Sequence, residues 1–108
     1  MTPIYGLLGL ACRAGQVTLG AQMALEELKG GKAALVLIDE SASMGTRKKL
    51  QDACAYRNMP LFIMPKDELS RACGRDSRMA AAVKKGPFAE RMLQLLREEE
   101  QKAIAQSS

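Results

Sequence analysis

The sequence predicts a single three-layer α/β/α domain, and three observations lead there. The run Ala33-Ala34-Leu35-Val36-Leu37-Ile38-Asp39 is aliphatic, contains the β-branched Val36 and Ile38, and does not alternate with polar residues. That pattern suits a strand buried on both faces. Gly30-Gly31 precedes it and Asp39-Glu40-Ser41-Ala42-Ser43 follows as a turn, with a helical pattern on either side, which is the layout of helices covering both faces of a sheet. The length, 108 residues, makes one domain that buries a core without staples. In open sheets of this class, ligand sites gather beyond the carboxyl ends of strands and at the starts of the helices that follow.

Taken in order, Thr2 caps a first helix with Pro3 at its first position, and Ile4, Leu7, Leu8 and Ala11 form its apolar stripe. Gly15 supplies the left-handed stop. Arg13 in the last turn complements the helix dipole, and it is also a candidate for ligand contact. Gln16-Val17-Thr18-Leu19 is an edge strand. Gly20 then opens a helix through Lys29 with Ala21, Ala24, Leu25 and Leu28 inward, so that Gln22, Met23, Glu26 and Glu27 face outward. An outward Met at a first turn is either covered by a neighbouring loop or belongs to an adaptable binding surface.

After the central strand, Ser41 or Ser43 caps a third helix to about Arg57 that buries Leu50, Ala53, Cys54 and Thr46. Arg47-Lys48-Lys49 falls in or near its first turn, where cations oppose the dipole by about 0.3–1 kcal/mol each, so the run suits a surface that meets phosphates as well as a solvated face. Asn58-Met59-Pro60 turns the chain into a second buried strand, Leu61-Phe62-Ile63-Met64. Lys66 to Cys73 is a short helix stopped by Gly74. The loop Arg75-Asp76-Ser77-Arg78 leads to Met79-Ala80-Ala81-Ala82-Val83, a strand of poor intrinsic preference. Pro87 starts the last helix, with Phe88, Met92, Leu95 and Leu96 inward, and residues 98–108 form a polar helix extension that frays into a tail beyond a single domain of residues 1–97.

There are 16 Lys and Arg against 12 Asp and Glu, a net charge of +4 that favours a polyanionic partner. No run approaches the roughly 18 apolar residues of a membrane span, and the N-terminus lacks a signal peptide's features, so no membrane is expected and the cytoplasm is the expected location. Cys12, Cys54 and Cys73 are odd in number and lack C-x-x-C spacing, which predicts buried reduced thiols rather than a disulfide frame. The absence of histidine removes the usual general base, the common nucleophile pairs and the commonest metal ligand. Asp39 and Glu40 are adjacent, tend to diverge, and serve as turn and cap residues. The glycines match neither phosphate-binding fingerprint, and the few aromatics look buried or isolated. No catalytic residue, cofactor or metal is therefore expected. What remains is a basic surface built from loops and helix starts.

The string Leu7-Leu8-Gly9-Leu10-Ala11-Cys12-Arg13-Ala14-Gly15, then Leu19-Gly20, then Leu35-Val36-Leu37-Ile38-Asp39-Glu40-Ser41-Ala42-Ser43, resembles the superfamily of ribosomal proteins seven-Ae and thirty-e. Lys48-Lys49-Leu50, Cys54-Ala55-Tyr56, Asn58-Met59-Pro60 and Gly86-Pro87-Phe88-Ala89 continue the likeness, which is nearest to the bacterial YlxQ-like branch. The resemblance implies an α/β/α sandwich around a four-stranded mixed sheet, and a ribosomal-type protein that binds kink-turn RNA. Members that grip a kink-turn carry Gly, a small residue, Asn and Glu at the start of the second helix, with Lys three residues on. Here Gly20 and Ala21 keep the close backbone approach, Gln22 lengthens the amide, Met23 replaces the acceptor, and Glu26 sets a negative charge where the family has Lys. The loop that covers a flipped nucleotide in the family is here charged, and better suited to phosphate.

The expected site is thus Gly20, Ala21, Gln22 and Met23 as one wall, Arg75 and Arg78 as the opposite lip, and Arg13, Arg47 and Lys48 as further phosphate contacts. The expected function is non-catalytic docking of a monomer on structured RNA through a basic cleft, the RNA being ribosomal or a kink-turn and the ribosome a further partner in translation. The alternative is a protein-interaction module that kept the fold and lost the RNA site, for which Met23 and the Glu26-Glu27 pair speak.

Overall fold

The aliphatic run Ala33–Asp39 is strand β2, and its residues divide two cores between them. The structure, a computed structural model, describes residues 3–75 and 78–107, with side chains over 4–75 and 78–98. The expected cap Thr2 and the loop residues Asp76 and Ser77 lie outside the described residues. The elements are α1 (Pro3–Arg13), β1 (Val17–Leu19), α2 (Ala21–Lys29), β2, α3 (Met44–Tyr56), β3 (Leu61–Met64), α4 (Glu68–Cys73), β4 (Ala80–Lys84) and α5 (Pro87–Ser107). The sheet order is β1-β4-β2-β3, with β4 antiparallel to both neighbours and β3 parallel to β2.

Alternation along the two central strands separates the layers. Leu35 and Leu37 of β2, with Ala81 and Val83 of β4, pack under α1, α4 and α5 against Ile4, Leu8, Leu69 and Met92. Val36 and Ile38, with Ala80 and Ala82, pack under α2 and α3 against Leu25, Leu28 and Leu50. The alanines of β4 are poor strand formers alone, but a strand hydrogen-bonded on both sides and covered on both faces is decided by its surroundings. Small side chains there let both helical layers approach.

Three expectations need correction. The strand Leu61–Met64 is not central but an edge, so Ile63 is 42% exposed while Met64 is buried. Glu27 does not face outward: it is half-buried, and its carboxylate accepts from the Thr18 hydroxyl at 3.1 Å. Most consequentially, Cys12 and Cys73 are joined in a disulfide, with Cα atoms 5.7 Å apart across 61 residues of chain. The pairing follows from helix packing rather than spacing. Gly9 lets the backbone of α4 come so near α1 that a Cβ there would meet the Ala72 carbonyl at 3.0 Å, bringing the last turns of both helices together. Cys54 remains a free, buried thiol, its pKa pushed up to about 11 by burial, against a smaller opposing effect of Arg57.

Candidate nucleic-acid interface

Gly20 takes φ +104°, a conformation that side-chain-bearing residues rarely adopt, and its N–H donates to the Ala80 carbonyl at 2.8 Å. This bond sets the start of α2 beside the first residue of β4. No side chain caps the first turn of α2, so its N–H groups stay available. The neighbouring α3 is capped by Ser43, whose hydroxyl accepts from the Thr46 N–H at 3.2 Å. Both helices follow strands that run the same way, so their positive ends lie at one end of the sheet, where anions are favoured.

Between the two helix starts lies a groove of about 440 Å³ lined by Ala21, Gln22, Ser43, Gly45, Thr46 and Lys49, with Leu50 at its floor. Met23 stands exposed beside it at 51%, and Met44 is exposed at the start of α3. On the other face of β1 lies a second cleft of about 540 Å³, where Arg13, Arg71 and Arg75 surround the Cys12–Cys73 bond beside Val17 and Leu19. Arg71 is paired with Glu68 at 3.2 Å, and Arg13, Arg71 and Arg75 are all exposed.

The turns that carry these groups are held by one buried carboxylate. Asp39 accepts from the Ser41 N–H at 2.8 Å, the Ser41 hydroxyl at 2.6 Å and the Asp67 N–H at 2.8 Å. Burial pushes its pKa up, but the Ser41 and Asp67 bonds and the Lys66 charge together outweigh that and leave it below the usual carboxylate value. Glu40 adds a second tie, its carboxylate accepting from the Lys66 N–H at 2.9 Å.

The residues singled out from sequence therefore fall in three places. Gly20, Ala21, Gln22 and Met23 stand together at the start of α2. Arg13 and Arg75 share the second cleft, and exposed Arg78 follows in the connector, where its N–H donates to the Ser70 hydroxyl at 2.9 Å. Arg47 is turned back onto the Glu40 carbonyl at 2.9 Å, and Lys48 is exposed without lining either cavity. Ser43, Thr46 and Arg71 are not among the residues expected at the site, and Lys49, though part of the Arg47-Lys48-Lys49 run, is not either. The helical spacing of Gly45, Thr46, Lys49 and Leu50 carries the missing signal, because it puts the second lysine of the pair, not the first, on the groove side.

Comparison with known proteins adds what geometry alone does not. Residues 2–93 match the model of the Ribosomal protein L7Ae/L30e/S12e/Gadd45 family. The RNA-binding protein YlxQ of Bacillus subtilis is 37% identical over 93 residues, covering 85% of this chain and 93% of the relative. The protein of the same name from Enterococcus faecium is 30% identical over 91 residues, covering 83% and 87%. A protein with unknown function from Bacillus halodurans superposes with a TM-score of 0.84 at 30% identity, covering 90% of this chain and 99% of that one. The Giardia lamblia 15.5kD RNA binding protein superposes at 0.72 with 27% identity, covering 86% and 84%. With the mixed four-stranded sheet and the order of elements already in place, these likenesses mean that the chain belongs to the Ribosomal protein L7Ae/L30e/S12e/Gadd45 family, on its YlxQ-like branch.

Proposed function

We propose that the protein is a non-catalytic RNA-binding protein of ribosomal type that docks on structured RNA, a kink-turn or ribosomal RNA, in the cytoplasm as a single copy. The observation that carries this reading is the Gly20 N–H to Ala80 carbonyl bond, which sets the open first turn of α2 beside the arginine-bearing connector. Relatives named for RNA binding support it. Gln22 and Lys49 offer an amide and a cation across the groove between α2 and α3. Arg75 and Arg78 supply cations on the connector side. Met23 and Glu26 take the places where kink-turn binders use Glu and Lys, so affinity rests on backbone approach and charge more than on base edges.

A second reading, a protein-interaction module on the same fold, draws on the exposed Met23 and Met44. A gel-shift titration with a standard kink-turn duplex and with ribosomal RNA, each at two salt concentrations, separates the two. Retention of either RNA with a steep salt dependence is the expected result; retention of neither moves the function to a protein partner.

A further inference from the structure

A second group of cations lies at the opposite end of the sheet, away from the starts of α2 and α3. The Lys85 N–H donates to the Lys32 carbonyl at 3.1 Å, and Lys84 pairs with Ala33 across the ladder, so the three lysines are bound to one patch by backbone bonds. Lys29 ends α2 and Arg57 follows the end of α3, and because these helices are parallel and packed together, both cations reach the same end. Tyr56 is 84% exposed there, with the Arg57 guanidinium 5.3 Å from its ring centre. None of these cations makes an ion pair among the described residues.

The ordinary account is that helix carboxyl ends favour cations. That covers Lys29 and Arg57, but Lys32, Lys84 and Lys85 lie outside helices, and it gives an exposed tyrosine no role. A ring open to solvent beside a cation, at the end of the sheet that also carries Lys32 and Lys85, offers the two elements with which sequence-tolerant binders hold unpaired strands, a stacking face and phosphate-binding cations, with stacking worth about 1–3 kcal/mol per base.

We propose that this end is a second RNA contact, specific for an unpaired strand, with Tyr56 stacking on a base and Lys32 and Lys85 meeting its phosphates. Seven residues of β2 separate it by roughly 20 Å from the groove at the other end. The inference shares only the class of partner with the function proposed above, and it stands or falls separately. The test uses the full chain and a fluorescent 4-thiouridine-bearing oligouridine of about 15 nucleotides, which matches the span of one such site.

Light-induced crosslinking is expected at the peptide holding Tyr56. Tyr56→Ala is expected to weaken binding about tenfold with Tyr56→Phe restoring it, and Lys32→Ala with Lys85→Ala to lower the logarithmic salt slope by about 1–2. A saturating kink-turn duplex is expected to leave the oligouridine bound. No binding of oligouridine by the parent, crosslinks confined to the start of α2, or full displacement by the duplex overturns the proposal. If the kink-turn duplex fails to bind, and ribosomal RNA is retained only while Tyr56 is intact, the function proposed above fails and this contact stands.

Discussion

The carboxylate of Asp39 accepts a hydrogen bond from the backbone N–H of Asp67 at 2.8 Å, tying the turn after β2 to the turn after β3. Because Ser41 donates twice to the same carboxylate, one buried ion organises the connections at the end of the sheet that carries the groove.

Asp39→Ala leaves the part-buried donors of Ser41 and Asp67 without an acceptor and is expected to lower stability by about 1–3 kcal/mol at neutral pH. The pH dependence has a definite sign. A carboxyl whose pKa is lower folded than unfolded adds stability above its unfolded value, near 3.8, and that stability is lost as pH falls through the lower folded value. Urea titrations at pH 7 and below pH 4 check this: the parent loses stability across that interval more steeply than Asp39→Asn does.

Replacing Arg75 and Arg78 together by Ala is expected to flatten the logarithmic salt dependence of structured-RNA binding by about 1–2 units, since each phosphate contact contributes just under one. A slope equal to the parent's removes that lip from the site.

Gly20→Ala meets no neighbouring atom within 4 Å, so its cost is conformational alone. At φ +104° a destabilisation of about 1–3 kcal/mol is expected by chemical denaturation. RNA affinity should fall with it, because the first turn of α2 is re-aimed.

Thiol counting checks the cysteine pairing. Unfolded without reductant, the protein should react with one equivalent of a thiol reagent, from Cys54, and with three after reduction; folded at neutral pH, Cys54 should react slowly, being buried with a raised pKa. Cys12→Ser with Cys73→Ser is expected to cost about 2–4 kcal/mol by releasing the unfolded chain.

What the sequence made legible were features written locally. The unbroken aliphatic run of β2, the glycine that opens α2 and the left-handed stop at Gly74 each state a backbone requirement in a few neighbouring residues. The central place of β4 was harder to read, since its alanines have no strand preference and only their neighbours make them one. The Cys12–Cys73 bond was invisible, because the contact of α1 with α4 that makes it is tertiary and counting cysteines cannot supply it. In the candidate site, the α2 wall was read from four consecutive residues. Which of Lys48 and Lys49 lines the groove was not legible, because the side of α3 each takes depends on where Ser43 starts the helix.

The sheet order β1-β4-β2-β3 also has a consequence for biogenesis. The strand made last sits between partners made earlier, so a nascent chain that has not yet released Ala80–Lys84 has no neighbour for β1 and no carbonyl for the amide of Gly20. Synthesis must run almost to the final helix before the sheet closes, and the surface facing nucleic acid matures only then.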